Sequence, residues 1–245
     1  MLQALKNFIP HFITLLNLLS GCVAVYQVSL RAYELALFFV LMGVFFDFFD
    51  GLAARLLNVS SEVGVQLDSL ADMITSGLVP GFVMFKLIDD NLTHTGLEEN
   101  YYSWMPFLGF IVTAATAYRL AVFNVKGKDS TDFTGLAAPA NALMIVSWPM
   151  MINNSKFTFV TDLLQVPLLV LAFAVVDIFL LNGKFKLFSF KVSDWSFQSN
   201  RLRYLFIAIS ILSLIFLPYE AMTLIILFYF ILSYVHFKQK KSASY

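Results

Sequence analysis

Long apolar runs decide what this chain can fold into. Eight of them, roughly 11–29, 33–54, 64–88, 103–124, 137–152, 163–182, 202–217 and 220–237, approach or reach the length of about 20 residues that a helix needs to cross a bilayer. Hydrocarbon offers the backbone no water, so a spanning segment must satisfy its own amides, and the runs lack the polar–apolar alternation of a barrel strand. Composition agrees: 59% of the 245 residues are hydrophobic and 13% charged, whereas a soluble domain carries about 25% charged residues. The expected fold class is an all-α polytopic membrane protein of about eight transmembrane helices. The formal net charge is zero, so the bulk charge favours no acidic or basic partner and nucleic acid is not expected. The single cysteine, Cys22, excludes an internal disulfide. LSGC at 19–22 matches a lipoprotein cleavage box with Lys6 as its charged region, yet Pro10, His11 and Asn17 interrupt the apolar core such a signal needs. A first transmembrane helix is the expected reading.

Lys and Arg set the orientation. With the N-terminus in the cytoplasm, twelve of the sixteen basic residues fall in cytoplasmic segments, and only Arg31, Lys86 and Lys156 lie toward the other side. Arg119 lies inside the fourth helix near its cytoplasmic end, and the acidic loop DDNLTHTGLEEN (89–100) falls outside. The expected location is therefore the cytoplasmic (inner) membrane, multi-pass, with both termini in the cytoplasm. The basic, aromatic stretch KFKLFSFKVSDWSFQSN (184–200) fits either a segment lying on anionic headgroups or a plain connector. It separates a six-helix portion from a C-terminal hairpin.

Four acids interrupt this apolar background within FFDFFDGLAARLLNVSSEVGVQLDSLADMITSG (45–77). An acid inside a membrane is costly and by default a functional candidate. Asp47 and Asp50 are three apart on the second helix, with Gly51 and Ala54 on the same face. Gly64, Asp68 and Asp72, spaced by four, form a stripe on the third. A polar turn, NVSSEV, joins the two helices, which makes them antiparallel neighbours whose carboxylates can converge at the cytoplasmic third of the bilayer. Converging carboxylates repel unless cations lie between them, and all-oxygen ligands suit Mg²⁺, Mn²⁺ or Ca²⁺. Four aspartates can hold two ions, and a paired-ion site can clamp a phosphoryl group. Gly51, Ala54 and Gly64 lack bulk, so either a helix or a ligand can come close. Arg55 adds a planar donor fork suited to phosphate.

The residues spell D47-x2-D50-G51-x2-A54-R55-x8-G64-x3-D68-x3-D72, which resembles, at every position, the signature of the CDP-alcohol phosphatidyltransferase family. IPHFITLLNLLSG (9–21), DSLADMITSG (68–77) and YRLAVFNV…FTGLAAPA (118–140) extend the likeness toward its bacterial-type phosphatidylserine synthases. Val122 and Ala137 differ from the residues often found there. The resemblance implies a six-helix core over residues 1–182 and a homodimer, which leaves 183–200 as the connector and 201–245 as the two-helix unit. It implies transfer of a phosphatidyl group from CDP-diacylglycerol in the membrane to L-serine, with release of CMP. By the same resemblance Asp47, Asp50, Asp68 and Asp72 hold two divalent ions, and Asp72 is the general base. Asn17, Gly51, Ala54, Arg55 and Gly64 are then the CDP-lipid contacts. A serine carboxylate also needs a donor, for which Arg119 is the candidate, with Asn124 and Lys126 beside it. Two other classes compete. A membrane prenyltransferase also binds Mg²⁺-pyrophosphate through aspartates, but on two separated motifs rather than within 26 residues. A cation transporter tends to show broken helices and repeated halves, which the sequence lacks. His11, His94 and His236 have no metal-site spacing and read as interfacial or loop residues.

Overall fold

The computed structural model describes residues 2–59, 61–95, 102–126, 135–155, 157–185, 187 and 201–242. Among them, the regular elements are all helical. In chain order they are α1 (Leu2–Ser29), α2 (Tyr33–Leu56), α3 (Glu62–Asp72), a π-helical turn (Met73–Leu78), α4 (Val79–Thr95), a 3-10 turn (Met105–Phe110), α5 (Ile111–Lys126), α6 (Ala138–Asn154), α7 (Thr158–Leu164), α8 (Pro167–Asn182), α9 (Arg201–Phe216) and α10 (Ala221–Ser242).

Four stretches are long and apolar enough to cross a membrane alone: Phe8–Ser29, Tyr33–Leu56, Glu62–Thr93 and Met105–Val125. A fifth qualifies if α7 and α8, bent by 80° at their junction, count together. The chain is thus an all-α polytopic membrane protein. All eight expected runs are helical, but α6 and α9, of 17 and 16 residues, reach only about 25 Å against a hydrocarbon core of about 30 Å. Three details differ from the expected runs. The run at 163–182 is broken, because Val166 precedes Pro167 and the residue before a proline is pushed out of the helical region. The run at 103–124 begins as a 3-10 turn carrying Pro106. The run at 64–88 is interrupted by the π turn immediately after Asp72. LSGC lies well inside α1, with Cys22 exposed on its surface. The stretch 184–200 falls almost wholly outside the described residues.

The core forms where the helices of the first 182 residues cross. Val28, Val40, Val83, Met84, Ile88, Val112, Ile145 and Val170 are fully buried there. Central α6 is buried along most of its length, including Ala142, Ile145, Val146 and Trp148, as expected of a helix apolar on all sides. The C-terminal helices attach to it through polar contacts. Trp148 Nε1 donates to Thr223 Oγ1 at 3.2 Å, and the Ser155 hydroxyl bonds the carboxylate of buried Glu220. Where α1 ends, the Arg31–Asp90 ion pair ties the α1–α2 turn to α4. Both groups are substantially exposed, so the pair adds little stability.

The 3-10 turn lies directly on α4. A Cβ on Gly109 would stand 2.4 Å from the Phe85 amide nitrogen and 2.8 Å from the Met84 carbonyl carbon. Backbone cannot yield as a side chain does. Gly109→Ala should therefore destabilise the protein by about 1–3 kcal/mol, the range for overpacking, read as a lower thermal midpoint in detergent.

Candidate active site

The turn between the two acid-bearing helices is built from short-range chemistry. Asn58, at φ 49°, enters the left-handed region as α2 ends, a conformation that asparagine tolerates better than most residues. Ser61 then caps α3: its Oγ accepts from the Gly64 amide at 2.9 Å and lies 2.9 Å from His11 Nε2 on α1. That contact pins the start of α3 to α1. Sequence spacing makes α2 and α3 direct neighbours; in the structure both lean chiefly on α1 and make few contacts with each other. The acids of the two helices nevertheless converge.

Carboxylate oxygens of Asp47, Asp50 and Asp68 lie within 4.8 Å of one another, and Asp47 on α2 thus meets Asp68 on α3. Asp72, one turn further along, stands outside this triplet but within electrostatic reach of Asp47 and Asp68. Three like charges this close are strongly unfavourable away from water unless protons or cations compensate them. All the donors are hard oxygens, so the cluster fits a divalent cation of the Mg²⁺ or Mn²⁺ type.

Helix α1 supports the acids from behind. Thr14 donates to Asp50 Oδ2 at 2.6 Å, a charge-assisted bond of the sort worth about 1.5–3 kcal/mol. Asn17 Nδ2 donates to Asp72 Oδ1 at 3.1 Å, and Asn17 Oδ1 accepts from Thr75 Oγ1 at 2.8 Å. Both ends of the Asn17 amide are thus engaged within the protein. His11, Thr14, Asn17 and Gly21 stand three, three and four apart, so this stripe was readable in the sequence, although of the four only Asn17 was expected at the site and His11 was expected to be interfacial.

The small residues divide into two kinds. A Cβ on Gly51 would meet nothing within 4 Å, so Gly51 faces open space. A Cβ on Gly64 would lie 3.0 Å from Ser61 Oγ and 3.1 Å from His11 Nε2, so Gly64 serves the close approach of α3 to α1. Ala54 is half-buried and Arg55 is exposed, its Nε donating to the Gly51 carbonyl at 2.9 Å.

Of the residues expected to meet the acceptor, Arg119 donates to the Leu181 carbonyl at the end of α8. Asn124 Nδ2 donates to Ser69 Oγ at 2.8 Å, which joins α5 to α3 between Asp68 and Asp72. The Lys126 side chain lies outside the described residues. A fifth intramembrane acid, Asp177 on α8, escaped the sequence reading. It is fully buried and accepts from Asn141 Nδ2 on α6 at 3.0 Å. Its signal was plain: a lone charge within LLVLAFAVVDIFLL.

A model of the CDP-alcohol phosphatidyltransferase family matches residues 7–183. The chain is 31% identical over 144 residues to the CDP-diacylglycerol–serine O-phosphatidyltransferase of Bacillus subtilis, covering 57% of this chain and 74% of that one. It is 28% identical over 247 aligned positions to the protein of that name in Helicobacter pylori, covering 96% of each. With the Saccharomyces cerevisiae protein of that name the identity is 35% over 153 residues, covering 55% of this chain and 51% of that one. This chain belongs to the CDP-alcohol phosphatidyltransferase family: it is a membrane-embedded phosphatidyltransferase.

The two glycines predict opposite phenotypes. Gly51→Ala should fold at least as well as wild type, since alanine is favoured over glycine in a helix by about 1 kcal/mol, yet weaken CDP-lipid binding by tenfold or more. Gly64→Ala should lower the thermal midpoint first. Parallel melting and ligand titrations on both variants read the difference.

Proposed function

We propose that this protein transfers the phosphatidyl group of CDP-diacylglycerol to the hydroxyl of L-serine and releases CMP. The observation that carries the reading is the convergence of three signature carboxylates within 4.8 Å of one another. Relatives bearing that activity in their names support it, among them one aligned over 96% of both chains.

Asp47, Asp50, Asp68 and Asp72 would hold two divalent cations, Mg²⁺ or Mn²⁺. When bound, these would offset the charge of the pyrophosphate and of the departing CMP. Arg55 contacts phosphate, and the open side of Gly51 and Ala54 admits the nucleotide. The acyl chains stay in lipid while the headgroup reaches the acids. The serine hydroxyl attacks the β-phosphorus, the bond from that phosphorus to the CMP oxygen breaks, and Asp72 takes the hydroxyl proton. Arg119, fixed against α8 by the Leu181 carbonyl, receives the serine carboxylate. Asn124 supports the same region, with Lys126 on its margin.

In this reading residues 1–182 form the catalytic core and 201–245 an appended hairpin. The protein works as a homodimer in the cytoplasmic membrane, with the acid cluster on the side where serine and nucleotides are found. The runner-up is the same transfer to another alcohol, such as glycerol phosphate or inositol phosphate.

An acceptor panel with purified protein, following CMP, tests the proposal. Serine should support release; activity with glycerol phosphate alone would overturn the acceptor while sparing the family. Asp72→Asn should lower kcat by about 10²–10⁴-fold, the usual worth of a general base, with CDP-lipid still bound. Normal turnover would remove Asp72 from that role. Arg119→Ala should raise KM for serine well above its change in kcat, and an unchanged KM would free Arg119 from the acceptor site.

A further inference from the structure

The π-helical turn Met73–Leu78 begins at the residue after Asp72 and carries a buried hydroxyl that the transfer chemistry leaves without a task. π turns are rare and tend to occur at functional sites. Thr75 Oγ1 lies 2.8 Å from Asn17 Oδ1 and 3.2 Å from the Asn17 carbonyl oxygen, and Asn17 Nδ2 lies 3.1 Å from Asp72 Oδ1. The direction of this chain is dictated by its end. An ionised carboxylate only accepts, so the NH₂ end of Asn17 must face Asp72 and Oδ1 must face Thr75. Thr75 therefore has to donate, and its hydroxyl selects one of the two orientations of the Asn17 amide.

Two bare stretches of neighbouring helix make a seat for Thr75. A Cβ on Gly21 would stand 2.5 Å from Thr75 Oγ1, and a Cβ on Gly43 would stand 2.6 Å from Thr75 Cγ2 and 2.8 Å from Asn17 Oδ1. Both glycines lie within helices, where they cost about 1 kcal/mol relative to alanine. Packing alone would be served as well by valine, which has the shape of threonine. The hydroxyl, its direction and its two-sided seat point to orientation instead.

We propose that Thr75 is a positioning residue: acting through Asn17, it holds the Asp72 carboxylate in the orientation that the metal site and proton transfer require. The proposal rests on the reading of Asp72 given above.

The test uses full-length protein, with Mn²⁺ affinity followed by electron paramagnetic resonance and CMP release resolved into kcat and KM. Thr75→Val should lower Mn²⁺ affinity and kcat by about 10–100-fold, the usual effect of removing a partner behind a metal ligand, with KM for serine little changed. Thr75→Ser, which restores the hydroxyl, should recover most of both. Asn17→Ala with Thr75→Val should be no worse than Asn17→Ala alone, since residues acting in series are not additive. Gly43→Ala keeps every polar atom but intrudes on the Thr75 seat. It should reproduce the Thr75→Val signature and serves as the reading should that variant not fold. Wild-type Mn²⁺ affinity and kcat in Thr75→Val, failure of Thr75→Ser to recover them, or additive losses would overturn the proposal. Wild-type protein that neither binds Mn²⁺ nor releases CMP would instead overturn the reading of Asp72, and the role of Thr75 with it.

Discussion

Mutual repulsion among acids in a membrane is the constraint on which the rest of the structure depends. Asp47, Asp50 and Asp68 crowd within 4.8 Å, with Asp72 close by. In a low dielectric such a group persists only if packing holds it together and something positive occupies it. The surrounding architecture supplies the first condition. Helix α1 backs the acids with a threonine and an asparagine, its His11 anchors the cap of the next acid-bearing helix, and its Gly21 lets a third segment come close.

That arrangement explains why the two acidic helices need not touch. Both lean on α1 instead, which brings their carboxylates together, while a Cβ on Gly51 would meet nothing within 4 Å. Small residues consequently have two roles at the same site. Some let helices approach, as in membrane packing generally, and one keeps open space open. The spacing of glycines and alanines does not distinguish these roles; the neighbours of each missing Cβ do.

Much of this was legible in the residue order. Apolar runs announced helices, and the 3 and 4 spacing of the acids announced their convergence. Other features had no local signature. MITSGL reads as ordinary helix; its widening into a π turn, where Thr75 packs against Gly21 and Gly43, has no local signature. That α2 and α3 meet through α1 is a tertiary fact that a short connecting turn conceals. The α7–α8 bend was half visible, because Pro167 marks a boundary but not its angle. Asp177 is a lone charge in an apolar run, and Thr14 stands three residues before Asn17, so these too were visible in the residue order.

The π turn has one more effect. Residues Glu62–Thr95 form one continuous helical stretch, in which a regular α-helix would fix each residue's azimuth from the first. The wider turn offsets that azimuth midway. The stretch before it carries Asp68 and Asp72, and the stretch after it buries Val79, Val83 and Ile88. One continuous helix thereby aims its acids and its core residues along directions that a regular α-helix of the same sequence would not give them.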